Sequence, residues 1–260
     1  MSLRNALIVT IKLILFYLIY QLGFGAMGMV GTLLIPSLTE ITATSLAMVA
    51  STITMAWHLI HFGYLRLAGD RYKEITPSVL GVSIVFIFAA MYALNLLIEQ
   101  VNIPNTMGDE FIAMSNNIFG VLSIALLAPI LEELLFRGAI QSRLQEAGMH
   151  PWLAILSSSL IFGVVHMNPA QILFAFPLGI IFGWLYYRTG SLLPGIVGHL
   201  LNNSIAAANM ILYGDVSLEE QMPSSLTMWV CAAVSVLACS LTSAWLNRTL
   251  PHPSSSSPKE

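Results

Sequence analysis

The sequence predicts an all-α, polytopic membrane protein with about eight transmembrane helices around a buried catalytic cavity. Composition is the first reason. Hydrophobic residues make up 57% of the 260-residue chain and charged residues only 9%, whereas soluble domains carry about 25% charged residues. The second reason is that the mean hydropathy of +0.80 is spread over stretches long enough to cross a bilayer, which takes roughly 20 apolar residues. The third is that three of these stretches hold ionisable groups. A charge in hydrocarbon costs roughly 3 kcal/mol on insertion scales, so such groups usually face a polar cavity and do work there.

Candidate spans run over 5–28, 41–66, 77–98, 117–137, 151–167, 170–188, 192–212 and 225–247. They nearly fill the chain, which leaves one integral membrane domain over 1–250 and a Pro- and Ser-rich tail over 251–260 expected to be disordered. The sequence has no internal repeat of the kind that marks many transporters. Its first apolar run continues past Gly31 to Ile35, too long for the core of a secretory signal. Basic residues concentrate in cytoplasmic loops. With the N-terminus inside, the Lys and Arg residues, from Arg4 through Arg66, Arg71, Lys73, Arg137 and Arg188 to Lys259, fall on or near the inner side. Glu40, Glu99, Asp109, Glu110 and Asp215 fall on the outer side, so both termini are expected in the cytoplasm, with the cell inner membrane as the location in a bacterium. The net charge of −3 comes with no basic patch, which excludes nucleic acid as a partner. Cys231 and Cys239 share one span and read as small buried apolar residues rather than a disulfide or metal pair.

The ionisable groups lie in three motifs: Glu132-Glu133-Leu134-Leu135-Phe136-Arg137, then Phe162 with His166, then His199 with Asn202 and Asn203. Glu133 and Arg137 share a helical face and can form an ion pair. That pairing leaves Glu132, about 100° away around the helix, as the free carboxylate. The helix carrying them is expected to continue from Asn117 to Ala147, about 45 Å at 1.5 Å per residue, which exceeds the ~30 Å hydrocarbon core. Its inner end must therefore project into the cytoplasm. Glu132 precedes Gly148 by as many residues as His166 follows His150, so an antiparallel hairpin puts both side chains at one depth. His199 enters from the same side to roughly 12 Å, and the cavity is expected in the inner half of the membrane, open to the cytoplasm.

Each residue type suits a distinct task. A carboxylate in a dry pocket is a competent general base near neutral pH, so Glu132 with His166 beside it can hold and deprotonate a water. His199 and Asn203 share a face and can donate hydrogen bonds to a developing oxyanion. Asn202 points elsewhere and reads as a packing residue. His58 and His61 share a face of the second span near its inner end, where placement at the membrane interface is the preferred reading. Gly179-x-x-x-Gly183 and Gly195-x-x-Gly198 predict close helix contacts. Pro169, Pro177 and Pro194 are expected to end or kink helices.

The order Glu-Glu-x-x-x-Arg, Phe-x-x-x-His and His-x-x-x-Asn on eight predicted spans resembles the CPBP family of intramembrane proteases. That family includes the type II CAAX prenyl endopeptidases and bacterial relatives tied to bacteriocin self-immunity. The likeness covers residues 117–207 and shows no departure at the motif positions. It implies an intramembrane endopeptidase acting on a peptide or protein substrate at the membrane. Residue by residue it implies Glu132 as the water-activating base, His166 as its partner, and His199 and Asn203 as oxyanion stabilisers. Glu133, Arg137 and Phe162 support them. A zinc ion on Glu132, His166 and His199, with water in the fourth position, is the metal-assisted alternative. The absence of a His-Glu-x-x-His pair on one helical face favours a reaction with no metal or other cofactor. Two other classes stay open: a proton-coupled transporter, which broken helices in two related halves would mark, and a non-catalytic membrane scaffold or bacteriocin immunity protein.

Overall fold

A helix stands at each of the eight predicted spans, and most of these helices start where the sequence supplies a cap. A computed structural model describes residues 1–65, 75–101, 103–214 and 216–250. The expectations for Arg66, Arg71, Lys73, Asp215, Lys259 and the 251–260 tail lie outside the described residues. The described residues form α1 (Leu3–Leu34), α2 (Glu40–His61), α3 (Pro77–Glu99), a short α4 (Gly108–Ser115), α5 (Ile118–Glu146), α6 (Pro151–Val164), α7 (Pro169–Thr189), α8 (Leu193–Tyr213) and α9 (Ser225–Thr249). Side-chain oxygens of Ser2, Thr39, Thr76, Asn117, Asn168 and Ser224 accept first-turn N–H groups that no helical carbonyl can reach. Such caps contribute about 1 kcal/mol each. Pro77, Pro151, Pro169 and Pro194 sit in first turns, where a missing N–H costs nothing. Pro169 and Pro194 thus begin helices, and Pro177 lies inside α7.

Of the eight span helices, six are long and apolar enough to cross a membrane. The two that fall short are those next to the second motif and bearing the third. α6 has 14 residues, a rise of about 21 Å, and stops at Val164, so His166 lies in the turn beyond it. α8 has 21 residues, but His199, Asn202, Asn203 and Asn209 dilute its apolar run.

Two apolar clusters flank the motifs. Leu13 of α1, Leu59 of α2, Leu131, Leu135 and Phe136 of α5 and Phe162 of α6 form the first. Ile87 of α3, Leu178, Phe182 and Leu185 of α7 and Leu246 of α9 belong to the second. The Glu-Glu-Arg motif of α5 lies between them. α1 and α9 are the least enclosed, with 11% and 6% of their most apolar windows buried, as suits helices with lipid on most sides.

α5 corrects the expectation of a uniform α-helix. It widens into π turns over Leu122–Leu127 and Glu133–Gln141, where the Ala128 N–H bonds the Ser123 carbonyl and the Ser142 N–H bonds that of Arg137. Pro129 is one physical cause, because it has no N–H to close the ladder behind it and the chain opens there. Wide turns inside α-helices gather at functional sites.

α5 meets α7 through the two glycines of Gly179-x-x-x-Gly183. Arg137 Nη2 donates to the Gly179 carbonyl at 3.1 Å and Gln141 Nε2 to the Gly183 carbonyl at 2.9 Å. A β-carbon at Gly183 would lie 2.7 Å from Gln141 Oε1 and 3.0 Å from Ile155 Cγ2. Gly183→Val is therefore expected to lower the unfolding free energy in detergent by about 1–3 kcal/mol, the usual cost of overpacking. Gly81→Ala, where a β-carbon meets nothing within 4 Å, is expected to be neutral or slightly stabilising in the same thermal unfolding assay.

Candidate active site

Arg137 is completely buried, and its surroundings answer both terminal nitrogens of its guanidinium, while Nε has no hydrogen-bond partner among the described residues. Nη1 donates to Glu133 Oε1 at 2.8 Å and Nη2 to the Gly179 carbonyl. The guanidinium lies 4.5 Å from the Phe162 ring centroid and 5.4 Å from that of Phe182, and aromatic faces attract a cation where water is absent. Gly195 of α8 clears the approach on the carboxylate's other side, since a β-carbon there would sit 2.8 Å from Glu133 Oε2. The predicted Glu133–Arg137 pair is thus formed, on a helix too wide to be plain α.

His199 joins the two adjacent carboxylates. Its Nδ1 lies 3.3 Å from Glu133 Oε1, and its Nε2 lies 3.5 Å from Glu132 Oε2. Glu132 and Glu133 point in different directions from α5, and the two nitrogens of one imidazole span the gap. Glu133, already bound to Arg137, fixes the ring by accepting from Nδ1. Nε2 is then turned to Glu132, the carboxylate with no arginine of its own. A carboxylate that holds one ring nitrogen sets the tautomer and orientation of the other. Glu132 is 9% exposed and Glu133 1%, so Glu132 is the more open of the two. The Tyr17 phenol on α1 lies within electrostatic reach of Glu132.

Asn203 follows His199 by one turn of α8. Its Nδ2 donates to the Ile124 carbonyl at 2.9 Å, and its Oδ1 accepts from Asn202 Nδ2 at 2.8 Å. The Ile124 carbonyl is open because the Ala128 N–H goes to Ser123 and Pro129 has none to give. The amide nitrogen has two hydrogens, so one bond to Ile124 anchors the group and leaves the second N–H to donate. Asn202, read from sequence as a packing residue, orients the amide of Asn203.

His166 is held differently. Its Nδ1 lies 2.7 Å from the Phe162 carbonyl, which can only accept, so Nδ1 carries the hydrogen and Nε2 presents a lone pair. The Phe162 ring stands edge-on to both histidines, with centroids 5.1 Å from His166 and 5.8 Å from His199. Phe162 therefore spaces the two imidazoles as well as covering Arg137. No ion pair joins His166 to Glu132 among the described residues. Nor does any group of three His, Cys, Asp or Glu among them have the arrangement to hold a metal ion. Glu132, His166 and His199, the zinc set considered from sequence, are accordingly not grouped as three ligands of one ion.

Several contributors carry weak sequence signals or none. Pro129 could have been flagged as an open carbonyl within a motif helix, and Gly195 belonged to a noted small-residue pair. Nothing in the sequence marks the Gly179 carbonyl, Phe182 or Tyr17. His58, in the last turn of α2, is covered by protein: it is buried, Tyr20 lies 2.9 Å from its Nδ1, and Phe16, Phe62 and Tyr64 surround the ring. His61 stacks on Trp57 at 4.7 Å, on the exposed side of α2.

The fold and site define a class: an all-helical, multi-pass membrane protein with adjacent buried carboxylates facing a histidine from a neighbouring helix. Residues 114–205 match the family model described as type II CAAX prenyl endopeptidase Rce1-like. The Bacillus subtilis (strain 168) protein named "Putative membrane peptidase YdiL" is 36% identical over 84 residues, which are 32% of this chain and 34% of that one. The match therefore spans about a third of the relative's length. No solved structure matches the chain. Through these two matches the motif-bearing stretch is similar to the type II CAAX prenyl endopeptidase-like membrane peptidases.

Breaking the buried pair tests its structural weight. Arg137→Met strands Glu133 in an apolar site and is expected to cost about 3–5 kcal/mol of unfolding free energy. Glu133→Leu combined with Arg137→Met removes both charges and is expected to cost less than the single change. Denaturant titration of the two variants in mixed micelles checks the order.

Proposed function

We propose that this chain is an intramembrane endopeptidase that hydrolyses peptide bonds at or within the membrane with a glutamate-activated water. The observation that carries the reading is Glu132, buried, without an arginine partner among the described residues, and facing Nε2 of a histidine whose other nitrogen is held by Glu133. Glu132 accepts a proton from the water, and the oxygen attacks the scissile carbonyl carbon. Negative charge then develops on the carbonyl oxygen. His199 Nε2–H, in the protonated ring, and the second N–H of Asn203 are the donors for that charge, as preorganised donors are in other acyl-transfer sites. Collapse breaks the C–N bond, and the proton on Glu132 passes to the leaving amine. The Nε2 lone pair of His166 serves to orient the water.

The substrate class follows from the place of the site. A peptide bond must reach a cavity enclosed by membrane helices, so substrates are membrane-embedded or lipid-modified peptides. The matched family's description names CAAX prenyl endopeptidases, and a prenylated C-terminal peptide is one such substrate. Both termini are placed on the cytoplasmic side, on the distribution of basic residues.

Purified protein is expected to cleave a quenched fluorescent peptide library in detergent. Glu132→Ala is expected to lower the rate by roughly 100-fold or more, the usual worth of a general base, and a strong chelator is expected to leave the wild-type rate unchanged. A chelator-sensitive rate restored by zinc would move Glu132 from base to ligand. Wild-type cleavage by Glu132→Ala would remove it from the mechanism, and a wild type silent across the library would favour the scaffold reading.

A further inference from the structure

His166 lies beyond the last residue of α6, so no helix holds it. The next residue, Met167, has φ +53°, a left-handed conformation that a side chain with a β-carbon disfavours. Strained backbone of this kind persists where its surroundings over-determine it. Local bonds account for part of the restraint: the His166 N–H bonds the Gly163 carbonyl at 3.2 Å, and the Met167 N–H bonds that of Val164 at 3.1 Å. Asn168, fully buried, then caps α7 by accepting the Ala170 N–H at 3.3 Å.

One tie comes from outside this hairpin. Asn168 Nδ2 donates to Asn105 Oδ1 at 2.9 Å, and the same oxygen accepts the Met107 N–H at 3.3 Å. Asn105 belongs to the segment between α3 and α4, far from the hairpin in sequence and outside the 114–205 family match. Its oxygen therefore fastens the turn carrying His166 to the neighbouring segment. Because Asn168 has its carbonyl oxygen on the α7 cap, its amide hydrogens are what it can offer outward, and an oxygen acceptor is what position 105 must supply.

We propose that Asn105 is a positioning residue for His166: its side-chain oxygen, through Asn168, fixes the turn that carries the imidazole and holds it edge-on to Phe162. Its catalytic consequence rests on the endopeptidase reading above, but its structural claim does not. Asn105→Ala removes the acceptor. Asn105→Asp keeps an oxygen for both Asn168 and Met107 and serves as the conservative rescue.

The first readout is the imidazole ¹⁵N spectrum of histidine-labelled protein in micelles, with the His166 signals assigned by their loss in His166→Gln. In Asn105→Ala these signals are expected to shift or broaden while those of His199 hold, and Asn105→Asp is expected to reproduce the wild type. The second is peptide cleavage, where Asn105→Ala is expected to lower kcat by roughly 10- to 100-fold, as misplacement of a reacting group does, with KM nearly unchanged. Where Asn105→Ala does not purify as a single folded species, Asn105→Gln, which moves the acceptor outward by one methylene, replaces it with the same expectation. His166 signals unchanged by loss or displacement of the acceptor would overturn the proposal. So would equal disturbance by Ala and Asp. A wild type without cleavage would refute the endopeptidase reading, and the spectrum would still decide the role of Asn105.

Discussion

A guanidinium with no access to water must be satisfied by the protein around it, and the site is organised about that constraint at Arg137. Its charge is met by Glu133 on the same helix, by the Gly179 carbonyl on α7 and by the faces of Phe162 and Phe182. Each partner constrains something else. The carbonyl bond brings α7 so close that a β-carbon at 179 would stand 3.0 Å from Ser159 Cβ and 3.1 Å from Arg137 Nη2, tighter than ordinary contact. The carboxylate, once neutralised, can accept from His199 without leaving a bare charge in the core. Truncating such a network exposes a buried charge, which is why one substitution is expected to reach several elements.

Two neighbouring carboxylates thereby acquire different work from their surroundings. Glu133 is committed to Arg137 and His199, while the ion-pair partner of Glu132 among the described residues is the far nitrogen of that histidine. The same logic runs through the backbone of α5. Pro129 leaves a carbonyl open at Ile124, and an asparagine from α8 fills it. A defect in one helix becomes the anchor for a donor on another.

Much of this was legible in the chain. Ionisable residues in apolar spans pointed to the cavity, and i,i+4 spacing gave the Glu133–Arg137 pair. Glycine pairs pointed to the close contacts of α7 and α8. Helical spacing could not say which faces converge, so it left open that His199 spans both carboxylates and that His166 turns back to the Phe162 carbonyl. The π turns escaped because residue pattern sets which side of a helix is apolar, whereas its width depends on where a proline interrupts the ladder and on what the neighbours offer. The cover over His58 was not legible either, because spacing along α2 gives its place near the span's end and only tertiary packing brings Tyr20 and Phe16 of α1 over it. The span count met a similar limit: α6 ends before the hydrocarbon is crossed, and its last motif residue lies in a turn.

The central claim is that Glu133 orients His199, and a double-mutant cycle on unfolding free energy tests it most directly. Glu133→Gln, His199→Phe and the double variant are compared with the wild type in the same micelles, so no substrate is required. The account predicts a coupling of at least about 1 kcal/mol between the two positions, the scale found for residues sharing one charged network. Additivity to within about 0.3–0.5 kcal/mol, the behaviour of independent sites, would contradict it and would separate the carboxylate from the histidine it is held to position.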